Sequence, residues 1–505
     1  MTHDEHQGAD IEDETSGGRY DFVVVANRLP VDRVNAHDGT PSWKPSPGGL
    51  VTALEPVMRA NDGAWVGWTG VADDDQEPFE ADGLHLVPVR LTATAVELYY
   101  EGFSNDTIWP LYHDVIAQPT YSRRFWEAYV DVNRQFAEVA AAVAADGGTV
   151  WVQDYQLQLV PRMLRELRPD LVIGFFNHIP FPAYGLFSQL PWRREIIEGL
   201  LGADLIGFQR RADAGNFLRA ARRLFHVQTA HGQIELPAAG EGRWPNSMSD
   251  QPRTVVARHF PISIDAKSYV ELVERQEVRD RAAQIRNELG NPTTIMLGVD
   301  RLDYTKGIRH RFAAYAELLA EGKLDVDDTV LVQIASPSRE RVETYKALRD
   351  EIELTVGRVN GEFGTIAHSA INYLHHGYPR EEMVALFLAA DVMLVTALRD
   401  GMNLVAKEYV ATRVDDDGVL VLSEFAGAAD EMKQALLVNP HDIEGLKRAM
   451  LTAVHMPRAE RRTRMRALRH RVLLHDVERW SQDFLEALAQ LRPGASTTAA
   501  AAASD

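Results

Sequence analysis

Residues 391–412 read DVMLVTALRDGMNLVAKEYVAT. An apolar run (DVMLVTAL) of the length of a buried strand gives way to a polar turn, RDGMN, and then to LVAKEYVAT, which spaces its apolar residues as a helix does. Strand, turn and helix in that order make the unit of a parallel α/β sheet, because parallel neighbours need a crossover between them. The strand part recurs as YDFVVVANR, TVWVQD, LVIGFFNH and DLIGFQ in the first half, and as TTIMLGVD, TVLVQIAS and GVLVLSE in the second. Continuous apolar runs are expected where both faces of a strand are covered. The chain is therefore predicted to be α/β with parallel sheets.

At 505 residues it exceeds what one core holds, and about two domains are expected. Residues 231–254, rich in Gly, Pro and Ser, read as a surface loop or hairpin before VVARHFPISID, and the helix-rich AKSYVELVERQEVRDRAAQIRNELG opens the next half. The division falls near residue 265. The tails 1–18 and 493–505 carry too little apolar surface to offset ordering entropy and are predicted to be disordered.

Composition narrows the function. No apolar run approaches the ~20 residues of a membrane span, and the N-terminus lacks a basic-then-apolar leader, which predicts a cytoplasmic protein without membrane contact. The net charge of −20 disfavours nucleic acid as a partner. With no cysteine there is no thiol nucleophile, Cys-bound zinc or disulfide.

In open α/β sheets ligands bind beyond the carboxyl ends of the strands. After TTIMLGVD come Arg301 and Lys306 in RLDYTKG, two cations beside a glycine, which suit a phosphate or diphosphate; the alternative is a solvated loop pairing Arg301 with Asp303. After TVLVQIAS comes Arg339, an anion ligand or the charged start of a helix. In RDGMNLVAKEY, Gly401 is read as permitting a turn closed to other residues, and the amides of Gly401, Met402, Asn403 and Leu404 as lying at a helix N-terminus, where anions and sugar oxygens are favoured. Glu408 shares the face of Leu404, one turn on. A carboxylate there needs a partner: a ribose diol, or a neighbouring Lys or Arg, Lys407 lying on the adjacent face. In the first half, strand ends deliver Asn27 with Arg28, then Asp154, then His178, and SPGGL supplies Gly48 and Gly49 in a flexible loop.

One motif is set aside. Asp325 to Thr329 matches the DxDxT of haloacid-dehalogenase-type phosphatases, but there a strand precedes the first Asp, whereas here TVLVQIA follows. It is read as a helix-to-strand connection.

NRLP, SPGGL, YYEGFSNDTIWPLYH, WVQDYQLQLVP, FFNHIPFP, GVDRLDYTKGI, SPSR and LRDGMNLVAKEYV occur in that order. Together, from about Tyr20 to about Leu488, they resemble the trehalose-6-phosphate synthases, retaining glycosyltransferases of family 20. The resemblance implies a GT-B architecture, two Rossmann-like domains with parallel sheets facing across a cleft. Residues 19–264 would form the acceptor domain and 265–475 the nucleotide-sugar domain, with a final helix, 476–492, crossing back to the first. It implies transfer of glucose from UDP-, ADP- or GDP-glucose to glucose 6-phosphate, giving α,α-trehalose 6-phosphate, by a homodimer or homotetramer. By position, Arg28, Tyr100, Trp109 and Arg339 match the pocket for the acceptor phosphate, and Arg301 and Lys306 the diphosphate pair. Glu408 matches the ribose carboxylate, while Leu404 and Val405 lie near diphosphate or ribose. Asp400 and the amides of Gly401, Met402 and Asn403 match the grip on the donor glucose, Asp154 and His178 the contacts at the reacting centre, and Gly48 and Gly49 the loop over the donor. The base would be read by backbone near Ser336 to Ser338 and Ile371 to Leu374. Two cations at the leaving diphosphate can do the work of a metal, so no cofactor is expected. The alternatives are a transferase of this architecture with another acceptor, or a sugar-phosphate-sensing regulator without catalysis.

Overall fold

A computed structural model of the chain describes residues 19–35, 41–46, 49–238, 252–339 and 341–492. The tails expected to be disordered, Gly48 and the stretch 239–251 lie outside the described residues.

Two sheets carry the chain. The first takes the strands Tyr20–Arg28, Ala64–Trp68, Leu84–Pro88, Ala144–Gln153, Val172–Asn177, Leu205–Phe208 and Arg253–His259, which pair in parallel. Numbered along the chain, these seven stand in the spatial order 3-2-1-4-5-6-7. Phe79–Ala81 adds an antiparallel strand at one edge, and the hairpin Gln228–Ala230 with Gln233–Leu236 closes the other. The turn-rich stretch expected to be a loop or hairpin thus begins as a hairpin.

The second sheet holds Thr294–Arg301, Thr329–Ser336, Ile371–Leu374, Val392–Val395, Val419–Ser423 and Leu436–Val438, all parallel. Their spatial order is 3-2-1-4-5-6, the same doubly wound plan. Every predicted strand is present. Asp325 to Thr329 joins the helix Ile308–Ala320 to the strand Thr329–Ser336, as its flanks required.

The shared order matters because the order of the strands reverses between strands 1 and 4, opening a crevice at their carboxyl ends. In the first sheet that point lies between Tyr20–Arg28 and Ala144–Gln153, presenting Asn27, Arg28 and Asp154. In the second it lies between Thr294–Arg301 and Val392–Val395, presenting Arg301 and the turn at Asp400. The chemistry-bearing strand ends therefore gather by topology.

One feature was not legible in the sequence. Residues Val96–Ile108, which carry Tyr100, form a π-helix, so the amide of Trp109 bonds the carbonyl of Ser104 five residues back. Such turns are rare and concentrate at functional sites. The last helix, Val477–Ala489, lays Trp480 and Phe484 on Trp151 of the first sheet, with ring centroids 5.2 and 4.5 Å apart. Among the described residues no helix is long and apolar enough to cross a membrane.

Candidate active site

Thr294–Arg301 ends at an exposed guanidinium, and the short turn Tyr304–Lys306 brings a buried ammonium beside it. Lys306 Nζ donates to Asp400 Oδ2 at 2.6 Å, and Asn403 Nδ2 donates to the same oxygen at 3.1 Å. Burial alone would raise the Asp400 carboxyl. Lys306, His113 and Asn403 more than offset it and hold the group below the usual carboxylate range. The alternative pairing of Arg301 with Asp303 does not occur: buried Asp303 takes Arg339, whose Nη1 lies 3.1 Å from Oδ2. Burial would raise Asp303 as well, but Arg339, Arg301 and Lys306 hold it well below the usual range. Arg339 lies ahead of the helix Glu343–Phe363 and does not start it.

The turn at Gly401 differs from the sequence reading in a useful way. Asn403, not Gly401, takes the left-handed conformation, at φ 77°, and caps the helix Leu404–Thr412 by accepting from the Ala406 amide at 3.2 Å. The helix therefore begins at Leu404, and the amides left for a ligand in its first turn are those of Leu404 and Val405. Gly401 is demanded by space. A Cβ built on it would lie 2.1 Å from the carbonyl oxygen of His178, which belongs to the other half of the chain. Glu408 lies one turn beyond Leu404 and faces the Tyr269 hydroxyl and Arg380; burial raises its carboxyl, against both of these partners. Lys407 turns away to bond Glu431 Oε2 and the Ile262 carbonyl, each at 2.7 Å.

Across the cleft, Asp154 sits just past its strand at φ 72°, a left-handed value that is costly for a residue other than Gly, Asn or Asp. Its Oδ1 accepts from the His178 amide at 3.0 Å. Burial pushes Asp154 up to about 6, against that hydrogen bond, one from Tyr155, and the pull of Arg301 and Arg339. The His178 ring is neutral, because burial lowers it to about 3. Its Nε2 lies 2.9 Å from Gln153 Oε1, which assigns the proton to Nε2.

Trp109 is sandwiched between the halves. Arg339 Cζ lies 3.8 Å from its ring centroid and Arg301 Cζ 5.3 Å, both belonging to the second half. Arg28 is half-exposed, pairs with Asp32 at 3.0 Å, and passes so close to Gly70 that no Cβ fits there. Tyr100 packs edge-on to Trp68.

Two cavities result. One, of about 360 Å³, is lined by Asn27, Arg28, Asp32, Trp65, Tyr100 and Asp154 among others. The other, of about 320 Å³, is lined by His178, Arg301, Lys306, Asp400, Met402 to Val405 and again Asp154. Asp154 is the wall they share. Trp109 and Arg339, expected beside Arg28 and Tyr100, lie outside both linings, as does Glu408. Gly49 opens the helix Gly49–Asn61. Residues that the sequence reading passed over include Gln153 and Gln209, flanking His178, and His113. Burial lowers His113 to about 4, and its Nδ1 lies 2.7 Å from the Trp109 carbonyl. His113 closes the motif YYEGFSNDTIWPLYH, and that was its only signal.

The family model of glycosyltransferase family 20 matches residues 20–490. A trehalose-6-phosphate synthase of Mycolicibacterium gilvum (strain PYR-GCK) is 60% identical over 480 residues, covering 94% of this chain and 94% of that protein. The crystal structure of an α,α-trehalose-phosphate synthase (UDP-forming) from Burkholderia vietnamiensis matches with TM-score 0.85 at 34% identity, over 95% of this chain and 99% of that one. One from Burkholderia xenovorans, in complex with glucose-6-phosphate, matches with TM-score 0.82 at 33% identity, over 94% of this chain and 100% of that one. The chain belongs to glycosyltransferase family 20, and is a glycosyltransferase of the trehalose-6-phosphate synthase group.

Proposed function

We propose that the chain transfers glucose, with retention, from a nucleoside-diphosphate glucose to the anomeric hydroxyl of glucose 6-phosphate, releasing α,α-trehalose 6-phosphate. The observation that carries this reading is Asp154, common to the wall of a cavity with Arg28 and Tyr100 and of one with Arg301, Lys306 and Asp400. An acceptor phosphate suits Arg28, which is half-exposed and free to turn from Asp32. A diphosphate suits Arg301 and Lys306 with the helix N-terminus at Leu404 and Val405. The solved relatives are UDP-forming, which favours UDP-glucose over ADP- or GDP-glucose.

In the step itself the bond from the donor C1 to the diphosphate breaks and a bond from C1 to the acceptor oxygen forms on the same face. The acceptor proton passes to the leaving diphosphate oxygen. Arg301 and Lys306 stabilise the negative charge that grows there, and Asp400, held in place by Lys306 and Asn403, orients the glucose hydroxyls. Protein cations meet the leaving charge, so the reading requires no metal. Asp154, fixed by the His178 amide, orients the sugars and forms no covalent bond.

Nucleotide release measured from UDP-, ADP- and GDP-glucose, each with glucose 6-phosphate and with glucose, tests the proposal. Turnover is expected only with the 6-phosphate and fastest with UDP-glucose, with an α,α product by NMR. Tight binding of both ligands without turnover would mark a sensor instead. A glucosyl adduct trapped on Asp154 would refute its orienting role.

A further inference from the structure

We propose that Arg399 is a strut by which the acceptor side of the cleft positions the donor-gripping turn, so that occupancy of one substrate site strengthens binding at the other. This rests on the reading of the cleft as a donor and an acceptor site. Asp400 faces the donor cavity, but the residues on either side of it face the opposite half of the chain. Arg399 belongs to neither cavity lining. Its side chain is 14% exposed, with Nε 3.2 Å from Asp114 Oδ2 and Nη2 3.6 Å from Asp213 Oδ1. Both acids belong to the first half.

Asp213 is completely buried, in the first turn of the helix Arg211–Phe225, where amides favour a carboxylate. Neither of its oxygens has a hydrogen-bond partner, the Phe181 amide beside it falling outside good geometry. Burial pushes its carboxyl up to about 6, against the pull of Arg399 first and then of Arg210. A buried carboxylate so dependent on a cation from the other half holds that cation in place. Asp114 sits in a strained turn: it and Val115 have φ of 57° and 59°, and for a β-branched residue such a value is an outlier. That turn continues directly from Trp109 and His113. On the far side of Asp400, the Gly401 backbone rests against the His178 carbonyl.

Asp400 is thus held from both sides by the first half. One path runs from Tyr100, which lines the acceptor cavity, along the π-helix to Trp109, then through His113 and Asp114 to Arg399. A shift of the acceptor wall must move Asp400, and a shift of Asp400 must move that wall. This is the geometry of a reciprocal coupling between two ligands.

Titration calorimetry on the full chain tests it, with UDP as probe in the absence and presence of saturating glucose 6-phosphate. The wild type is expected to bind UDP at least about fivefold tighter with the sugar phosphate. Arg399→Ala is expected to bring that ratio to about one while leaving the Kd for UDP alone within about threefold, and Arg399→Lys to restore part of it. Asp114→Asn alters a side chain that is 43% exposed, leaves the core intact, and is also expected to lower the ratio. A wild-type ratio of one, or an undiminished ratio in Arg399→Ala, overturns the proposal. Should Arg399→Ala fail to fold, an undiminished ratio in Asp114→Asn does so. Failure of the wild type to bind UDP or glucose 6-phosphate alone would overturn the assignment of the cleft itself.

Discussion

Gly401→Ala adds one methyl group where the two halves touch. Its carbon would lie 2.1 Å from the His178 carbonyl oxygen, 3.1 Å from the carbonyl carbon and 3.1 Å from Ile179 Cα. Close carbon-to-oxygen contacts run to about 3.3 Å, so something must give by about 1 Å. All three neighbours are backbone of the first half, anchored just past the strand Val172–Asn177. The economical relief is a small opening of the cleft, which carries Asp400 away from Asp154. A displacement of about 1 Å at a positioned group costs on the order of 100-fold in rate. The expected result is a fall of about that size in kcat/KM for glucosyl transfer, followed by nucleotide release, with little change in thermal unfolding because no buried side chain is lost. A variant whose kcat/KM stays within about threefold of wild type would refute the steric argument. So would a crystal structure in which the turn alone shifts and the cleft stays closed.

Asp154→Asn tests the electrostatics. With a folded pKa of about 6 against an ordinary 3.8, the wild-type carboxyl favours the folded state below about pH 4 and loses that contribution as pH rises through 6. The variant is expected to gain up to about 3 kcal/mol relative to wild type at pH 8 and nothing at pH 4, read by urea unfolding, while losing activity. Equal differences at both pH values would refute it. Gly70→Ala places a methyl 2.1 Å from Arg28 Nη2 at a φ of 89°. The exposed Arg28 head is expected to swing aside, raising KM for glucose 6-phosphate about tenfold and leaving KM for the donor unchanged, as steady-state kinetics would show.

The strands and most of the candidate site residues were legible because each is a local pattern. A buried parallel strand is an apolar run, a helix repeats its apolar residues every three or four positions, and the residue that ends a strand is named by the strand itself. The π-helix over Val96–Ile108 escaped this logic, since its shifted hydrogen bonds leave no distinct apolar period. Gly401 was singled out for the wrong reason. In RDGMN a glycine and an asparagine can each supply a left-handed residue, and sequence alone does not say that Asn403 does so.

The sequence by itself determined the alternation of strand and helix, and the placing of Arg28, Asp154, His178, Arg301, Lys306 and Asp400 at or just beyond strand ends. Only the tertiary structure decided which of them meet. Asp303 pairs with Arg339 rather than Arg301, Trp109 receives two guanidiniums from the opposite half, and Asp154 serves two cavities. Periodicity acts over a few residues and is written in the chain. These contacts join groups far apart in sequence, and their geometry exists only once two sheets of the same plan face each other.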